Sequence, residues 1–478
     1  MFFCDPMTRQ KYLKTSILAA FAIETFSVTW CLKIPGWAPF FSILYFASGI
    51  GLALLLLYFP SLRLPAFEKK AWRAPINHYR LVVTGLIGLM LYSWCTYWFE
   101  EMPIDITNAD MLPIIKVMGE RFIAGQHSHI YDIIPWIWKG TQPIYLPAMW
   151  LPYVPAIALG IDMRWITIAG LLFAFGTFVF LYQPLPAGGA TSGLSQGDLT
   201  DFSRSAGKEG EASFVRAGDY RPFFLGVLAF LLFWWIVADN TPGIISVAEE
   251  GTVIGYYVLL VLALASGKPW LTAIAVSLCM LSRYALVGWV PAYLLYLILE
   301  KKWRLLSILT LTGILCFVLL FLVPVGWTTF VRLALLPGDY VGFAGRVWKD
   351  SPDVFSTAPG FAWFFGPKRI ALLHGLLITL SFGVPLLFVI FCKWWSGKKP
   401  IANVPLAALK IALVVFYCFI DVPYLYLFYT SSFVSLIIMA LVLRQREASS
   451  SGAVRQQTVN ASGELPVDAG GASVSPGV

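Results

Sequence analysis

Twelve apolar runs recur along the 478-residue chain, at about 15–32, 38–59, 80–99, 162–182, 222–238, 246–265, 270–285, 286–299, 304–324, 369–392, 403–420 and 423–443. This recurrence constrains the fold more than any other feature. An α-helix needs about 20 apolar residues to match roughly 30 Å of bilayer hydrocarbon, and most of these runs approach that length. Composition agrees, since 58% of residues are hydrophobic and only 13% charged, outside the usual range for soluble domains. The chain therefore reads as an all-α, polytopic transmembrane bundle of about 12–13 spans. Between 270 and 299 the pattern allows two helices or one kinked at Pro291.

Basic residues set the expected sidedness. Arg9, Lys11 and Lys14, the run from Arg63 to Arg80, the set Arg204, Lys208, Arg216 and Arg221, then Lys268, Lys301, Lys302, Arg304, Lys393, Lys398, Lys399 and the tail from Arg444 to Arg455 hold about two-thirds of all Lys and Arg. By the positive-inside rule these mark the cytoplasmic side, so the net charge of +8 reads as a topology signal and not as affinity for nucleic acid. It follows that 100–142 and 325–367 are two large outer loops. Residues 184–220, rich in Gly, Ser and Ala, read as a flexible cytoplasmic linker between an N-terminal module (1–183) and a C-terminal one (221–446), and 447–478 as a disordered cytoplasmic tail. The segment 143–160 carries Pro143, Pro147, Pro152 and Pro155, which predicts a broken or re-entrant helix. This sidedness requires 143–182 to cross an odd number of times, so either the proline-rich run does not span or another run is miscounted. The seven cysteines show no paired spacing, which argues against a zinc site or a disulfide framework.

The long polar interruption at 100–152 is where chemistry is expected. It opens with Glu100, Glu101, Asp105 and Asp110, and from Met111 the residues Met111, Ile114, Ile115, Met118 and Phe122 follow helical spacing while Lys116, Glu120 and Arg121 leave that face. This predicts a short amphipathic helix lying in the membrane interface, started by Asn108 or Asp110 and ended at Gly125. Asp110 and Asp105 can each act as general base on a hydroxyl at that surface, or merely cap a helix and shape a loop. His127, His129 and Asp132 have metal-ligating side chains, yet in a polar loop they read as surface residues, and neither metal nor cofactor is expected.

A run of features resembles the first outer loop of bacterial GT-C superfamily glycosyltransferases, closest to polyprenyl-phosphate-mannose-dependent mannosyltransferases. They are an apolar helix, a loop with Asp110, an amphipathic helix ending Phe122-Ile-Ala-Gly125, then Ile130-Tyr131-Asp132 and Gln142-Pro-Ile-Tyr145-Leu-Pro147. The chain has Tyr145-Leu-Pro147 where that family has Tyr-Pro-Pro. The resemblance implies a GT-C-like fold in a bacterial plasma membrane, an active site on the outer face, and transfer of a hexose such as mannose. The donor would be a polyprenyl-phosphate sugar and the acceptor a glycan or lipid. It maps the catalytic base onto Asp110, with Asp105 in reserve, and a donor-phosphate contact onto Arg283. Glu249 and Glu250 fall near a polar Gly-Gln-x-Asn cluster of the family, and with Gln142 and Tyr145 are the expected substrate-binding residues.

Other readings stay open on residue type alone. Arg283 between apolar runs is either functional or an arginine reaching to the surface, and Glu249 and Glu250 suit any helix N-terminus. Arg346 and Lys349 in the second outer loop offer further cations for a phosphate, though a solvated loop looks similar. Without a glycine-rich nucleotide turn, an outer-face transferase needs a lipid-borne donor. A transporter, flippase or ligase of lipid-linked glycans is the competing class, for which Lys410 is the main mid-span charge.

Overall fold

The computed structural model describes residues 6–64, 78–182, 248–397 and 402–444, apart from positions 32, 35, 108, 138, 139 and 336–339. The expected span at 222–238, the linker and the tail lie outside the described residues. Among the described residues the fold is helical, with one isolated antiparallel bridge between Ile134 and Thr141. The principal helices are α1 (Pro6–Cys31), α2 (Ala38–Leu56), α3 (His78–Glu101), α4 (Met111–Ile123), α5 (Arg164–Tyr182), α6 (Glu250–Ser266) and α7 (Pro269–Met280). There follow α8 (Trp289–Leu299), α9 (Trp303–Phe317), α10 (Trp327–Leu335), α11 (Tyr340–Asp350), α12 (Ile370–Ser396), α13 (Val404–Phe419) and α14 (Leu427–Arg444). Among the described residues five helical segments are long and apolar enough to cross a membrane: Ala38–Leu56, Arg164–Leu181, Trp303–Val325, Pro367–Ser396 and Leu427–Arg444. The third is α9 continued through a π-helical turn, Val318–Leu322.

Hydrogen bonds between distant segments sort the helix ends into two groups. At one end, Asn403 ties the start of α13 to the exit of α2 by accepting from Leu62 N at 2.8 Å and donating to Leu56, Phe59 and Pro60 carbonyls. There too Lys393 meets Glu300 at 2.8 Å, Leu64 N donates to Ala265 O, and Arg444 donates to the Phe180 and Leu181 carbonyls. This is the basic end. At the other end Arg164, heading α5, donates to the Phe99 and Met102 carbonyls at the exit of α3. The chain from 103 to 163 therefore leaves and returns at the same end, and its proline-rich part does not span. That resolves the parity of the 143–182 segment: only α5 crosses.

Residues 143–160 form three helical turns, Pro147–Trp150, Leu151–Tyr153 and Val154–Ala158, broken as the prolines predict. The 270–299 stretch is two helices and not one kinked at Pro291. The break lies at 281–288, and Pro291 sits in the first turn of α8, where its missing N–H costs little.

α13 and α14 are buried nearly all round, and α6 almost as completely, so these three form the centre. α5 and α6 cross so closely that a Cβ on Gly170 would strike the Gly251 carbonyl, and one on Gly251 the Thr167 carbonyl. Small residues permit this approach, which hydrocarbon alone does not drive. Between α1 and the centre, Lys410 Nζ lies 2.5 Å from Glu24 Oε1 and 2.6 Å from Ser431 Oγ, and Ser435 Oγ donates to Glu24 Oε2 at 2.8 Å. The bundle is stepped. At 1.5 Å per residue α6 and α13 run about 25 Å and α7 and α8 less than about 20 Å, against about 34 Å for Trp303–Val325 and about 40 Å for α12.

Candidate functional site

The step in the bundle sits under α4. Leu112, Ile114, Ile115 and Met118 are buried against Trp150, Tyr153 and Ala156 of the proline-rich turns, which is the amphipathic packing its spacing predicts. Arg121 at its last turn donates to the carbonyls of Asp132 (2.7 Å) and Ile130 (3.3 Å), fixing the returning loop. Tyr131 then donates to the Tyr145 carbonyl at 2.7 Å, and Trp150 Nε1 to Tyr131 at 3.2 Å. The turns are in turn pinned to the helix break: Ala148 N donates to Leu281 O at 2.9 Å, filling a carbonyl that the end of α7 would otherwise orphan. Tyr256 of α6 donates to Ala148 O at 3.0 Å. Each link brings the 103–163 loop closer to Arg283.

Arg283 sits in extended backbone between α7 and the turn Tyr284–Leu286. Its Nη2 lies 2.7 Å from Glu249 Oε1 and 2.6 Å from Glu250 Oε2, with both carboxylates fully buried and the arginine side chain 11% exposed. The Glu249 contact is a directed hydrogen bond. The Glu250 contact is a charge contact, and Thr430 of α14 donates to the other oxygen of Glu250. Arg283 is therefore not a surface-seeking side chain, and the two glutamates are not solvated helix-start residues. As ionised groups the three sum to one negative charge, held where water is scarce. Glu249 Oε2, Tyr257 Oη and Tyr417 Oη are buried and have no hydrogen-bond partner among the described residues.

Asp110 holds the N-cap position of α4, and its carbonyl accepts Ile114 N at 2.9 Å, but its carboxylate makes no capping hydrogen bond. It is half-buried, and its charge is felt by the hydroxyls of Tyr145, Tyr340, Tyr424 and Tyr426. Ala109 and Met111, flanking Asp110, pack with Ala248, Tyr145 and Tyr426, which brings Asp110 and the arginine triad to one group of tyrosines. Burial raises the Tyr145 phenol well above its ordinary range and that of Tyr340 to about 12, so both stay protonated donors at neutral pH.

The remaining expected residues stand apart. Asp105 is exposed and shapes a turn, its Oδ1 accepting Thr107 N at 3.1 Å. Gln142 is half-buried between the Ile134–Thr141 bridge and the proline turns. Arg346 and Lys349 are exposed on α11, whose buried Ala344 faces Phe355, Ile370 and Val422. That helix reaches the tyrosine group through Tyr340 instead. His129 pairs with Asp132 at 2.6 Å at the surface.

Sequence reasoning did not single out three contributors. Thr430 and Tyr426 lie in or beside an apolar run where nothing marks them, and the pair His374–Asp421, 2.5 Å apart, joins residues 47 positions apart. Glu24 was also missed. It pairs with Lys410, whose three ammonium protons all have acceptors in Glu24 and Ser431. No family model, curated protein or solved structure matches this chain.

Proposed function

We propose that this chain is a membrane glycosyltransferase that moves a sugar from a polyprenyl-phosphate donor to an acceptor hydroxyl, with Asp110 as general base. The carrying observation is that Asp110 stands at the start of a packed amphipathic helix, where its neighbours Ala109 and Met111 pack with Tyr145, Tyr426 and Ala248 beside the Glu249–Arg283–Glu250 triad. In this reading Asp110 takes the acceptor proton as the acceptor oxygen bonds to the anomeric carbon, with inversion. The bond from that carbon to the phosphate oxygen breaks, and polyprenyl phosphate departs with the electron pair. Tyr145 and Tyr426 donate to sugar hydroxyls and offer aromatic faces. Arg283 meets the phosphate through the edge turned away from its two carboxylates, since both contacts use Nη2 of a five-donor guanidinium.

Two arrangements support lipid-borne substrates. α4 and the proline turns lie over the end of the bundle without crossing it, and the triad sits at the end of short helices, below the ends of α9 and α12. In the proposed orientation that end faces outward in a bacterial plasma membrane. The test is incubation of purified protein with labelled polyprenyl-phosphate sugars. Release of polyprenyl phosphate only when an acceptor is present supports transfer, and full activity of Asp110→Asn refutes the assignment.

A further inference from the structure

The basic end of the bundle holds a cleft that the proposed reaction does not use. It lies between α8, α12 and the start of α13 and encloses about 260 Å³, lined by apolar Leu299, Val389 and Val404 and by polar Tyr296, Glu300 and Lys393. Val389 and Val404 are buried, whereas the paired side chains of Lys393 and Glu300 are 39% and 20% exposed, so the polar part of the lining meets solvent. A second ammonium stands beside it. Lys302 Nζ donates to Tyr296 Oη at 3.1 Å and lies 4.8 Å from the centre of that ring.

The donors and acceptors here are only partly used. Lys393 spends one of its three protons on Glu300 Oε1 at 2.8 Å, and Lys302 one on Tyr296, which leaves two donors on each ammonium. Glu300 keeps Oε2 as an acceptor. It is the only acid on α8, α12, α13 or the turn into α9 among the described residues, and exposed Lys301 and Arg304 flank Lys302. Exposed lysines and arginines are cationic at neutral pH, so the cleft has an excess of positive charge. Trp303, Trp394 and Trp395 are exposed around it, and indoles of this kind mark the level of lipid headgroups. A cleft of this size takes a headgroup with its glycerol and leaves the acyl chains in the bilayer.

We infer that the cleft between α8 and α12 binds an anionic glycerophospholipid whose headgroup carries hydroxyls. Lys393 and Lys302 donate to the phosphodiester, Glu300 Oε2 accepts from a headgroup hydroxyl, and the Lys393–Glu300 pair stays intact. The site is independent of the transfer reading and adds no covalent step.

The probe is dioleoylphosphatidylglycerol, titrated into full-length protein in a neutral detergent, with retained lipid counted by native mass spectrometry. Lys302→Gln and Lys393→Gln should each bind about 5-fold more weakly, as loss of one cation near a lipid phosphate implies. Lys11→Gln removes a cation at the same end on α1, which packs against α2 and α14, and should stay within about 2-fold of wild type. Dioleoylphosphatidylmethanol has the same charge without headgroup hydroxyls and should bind about 3-fold or more weakly, as loss of one hydrogen bond implies.

Equal losses in Lys11→Gln and Lys302→Gln would reduce the effect to general attraction and overturn the cleft. Equal binding of the two lipids would overturn the part given to Glu300. Displacement of the lipid by millimolar glycerol 3-phosphate would assign the cleft to a soluble phosphate and overturn the lipid. Should Lys393→Gln not fold, the exposed Lys302→Gln decides alone: undiminished binding refutes the site.

Discussion

Lys410 and Glu24, 386 positions apart in sequence, meet at 2.5 Å with no exposed surface on either side chain. The pair and its serine partners lock α1 against α13 and α14. Removing one member leaves an uncompensated buried charge, which costs about 3–5 kcal/mol, whereas apolar replacement of both is often neutral. Lys410→Met and Glu24→Met should therefore each lower the melting temperature in detergent sharply, and the double variant should recover most of the loss. A double variant as unstable as the singles would contradict this account.

The seam between α5 and α6 makes a second prediction. Gly251→Ala puts a methyl group into the Thr167 carbonyl and should strongly reduce folded yield, while Gly176→Ala, on the same α5 but facing open space, should be neutral or stabilise by about 0.5–1 kcal/mol. Size-exclusion profiles of the two variants make the comparison.

Asp110 and Asp105 separate the functional readings. A general base contributes about 10²–10⁴-fold, so Asp110→Asn should lower transfer by at least about 100-fold with lipid-phosphate binding unchanged. Asp105→Asn, at an exposed turn, should retain near-normal rates. Transfer assays on both variants, with binding measured in parallel, decide the matter.

Sidedness can be read with two engineered thiols. Cys31, Cys95, Cys279, Cys392 and Cys418 are buried and Cys316 half-buried, so background labelling of these should be low. In intact cells an impermeant maleimide should modify Ser128→Cys, exposed beside α4, and spare Ser61→Cys, exposed at the basic end. The reverse pattern would put α4 in the cytosol and end the outer-face proposal.

The His374–Asp421 pair carries a pH signature. Burial raises the Asp421 carboxyl above its ordinary value of 3.8, and the His374 contact pulls it back. A carboxyl whose folded-state value is raised binds protons more tightly when folded, so stability grows as pH falls toward the unfolded value and declines as pH rises. Asp421→Asn cannot titrate and should gain less melting temperature on acidification than wild type does, and equal gains would mean this carboxyl does not set the trend.

Much of this architecture was legible because periodicity is local. The face of α4, the break in the proline-rich run and the basic end all follow from spacing within a turn or two of helix. Asp110, Arg283, Glu249 and Glu250 were legible as unusual residues, since charge between apolar runs demands a reason. Their mutual contact was not, because Glu249 and Arg283 belong to different helices and only the crossing of α6 and α7 brings them together. Glu24 was equally conspicuous by type, an acid within an apolar run, and went unread for lack of any local clue to a lysine nearly four hundred positions away. The parity of the 143–182 segment needed Arg164, whose bonds to Phe99 and Met102 show where the loop closes.

The pair α7 and α8, 12 and 11 residues long, turns back well short of full bilayer thickness. Protein fills the level above this hairpin, because the turn at Ala148 bonds to its break at Leu281 and α4 packs over that turn. A ligand head that engages Arg283 must therefore sink beneath the level at which neighbouring headgroups float, shedding part of its hydration on the way down.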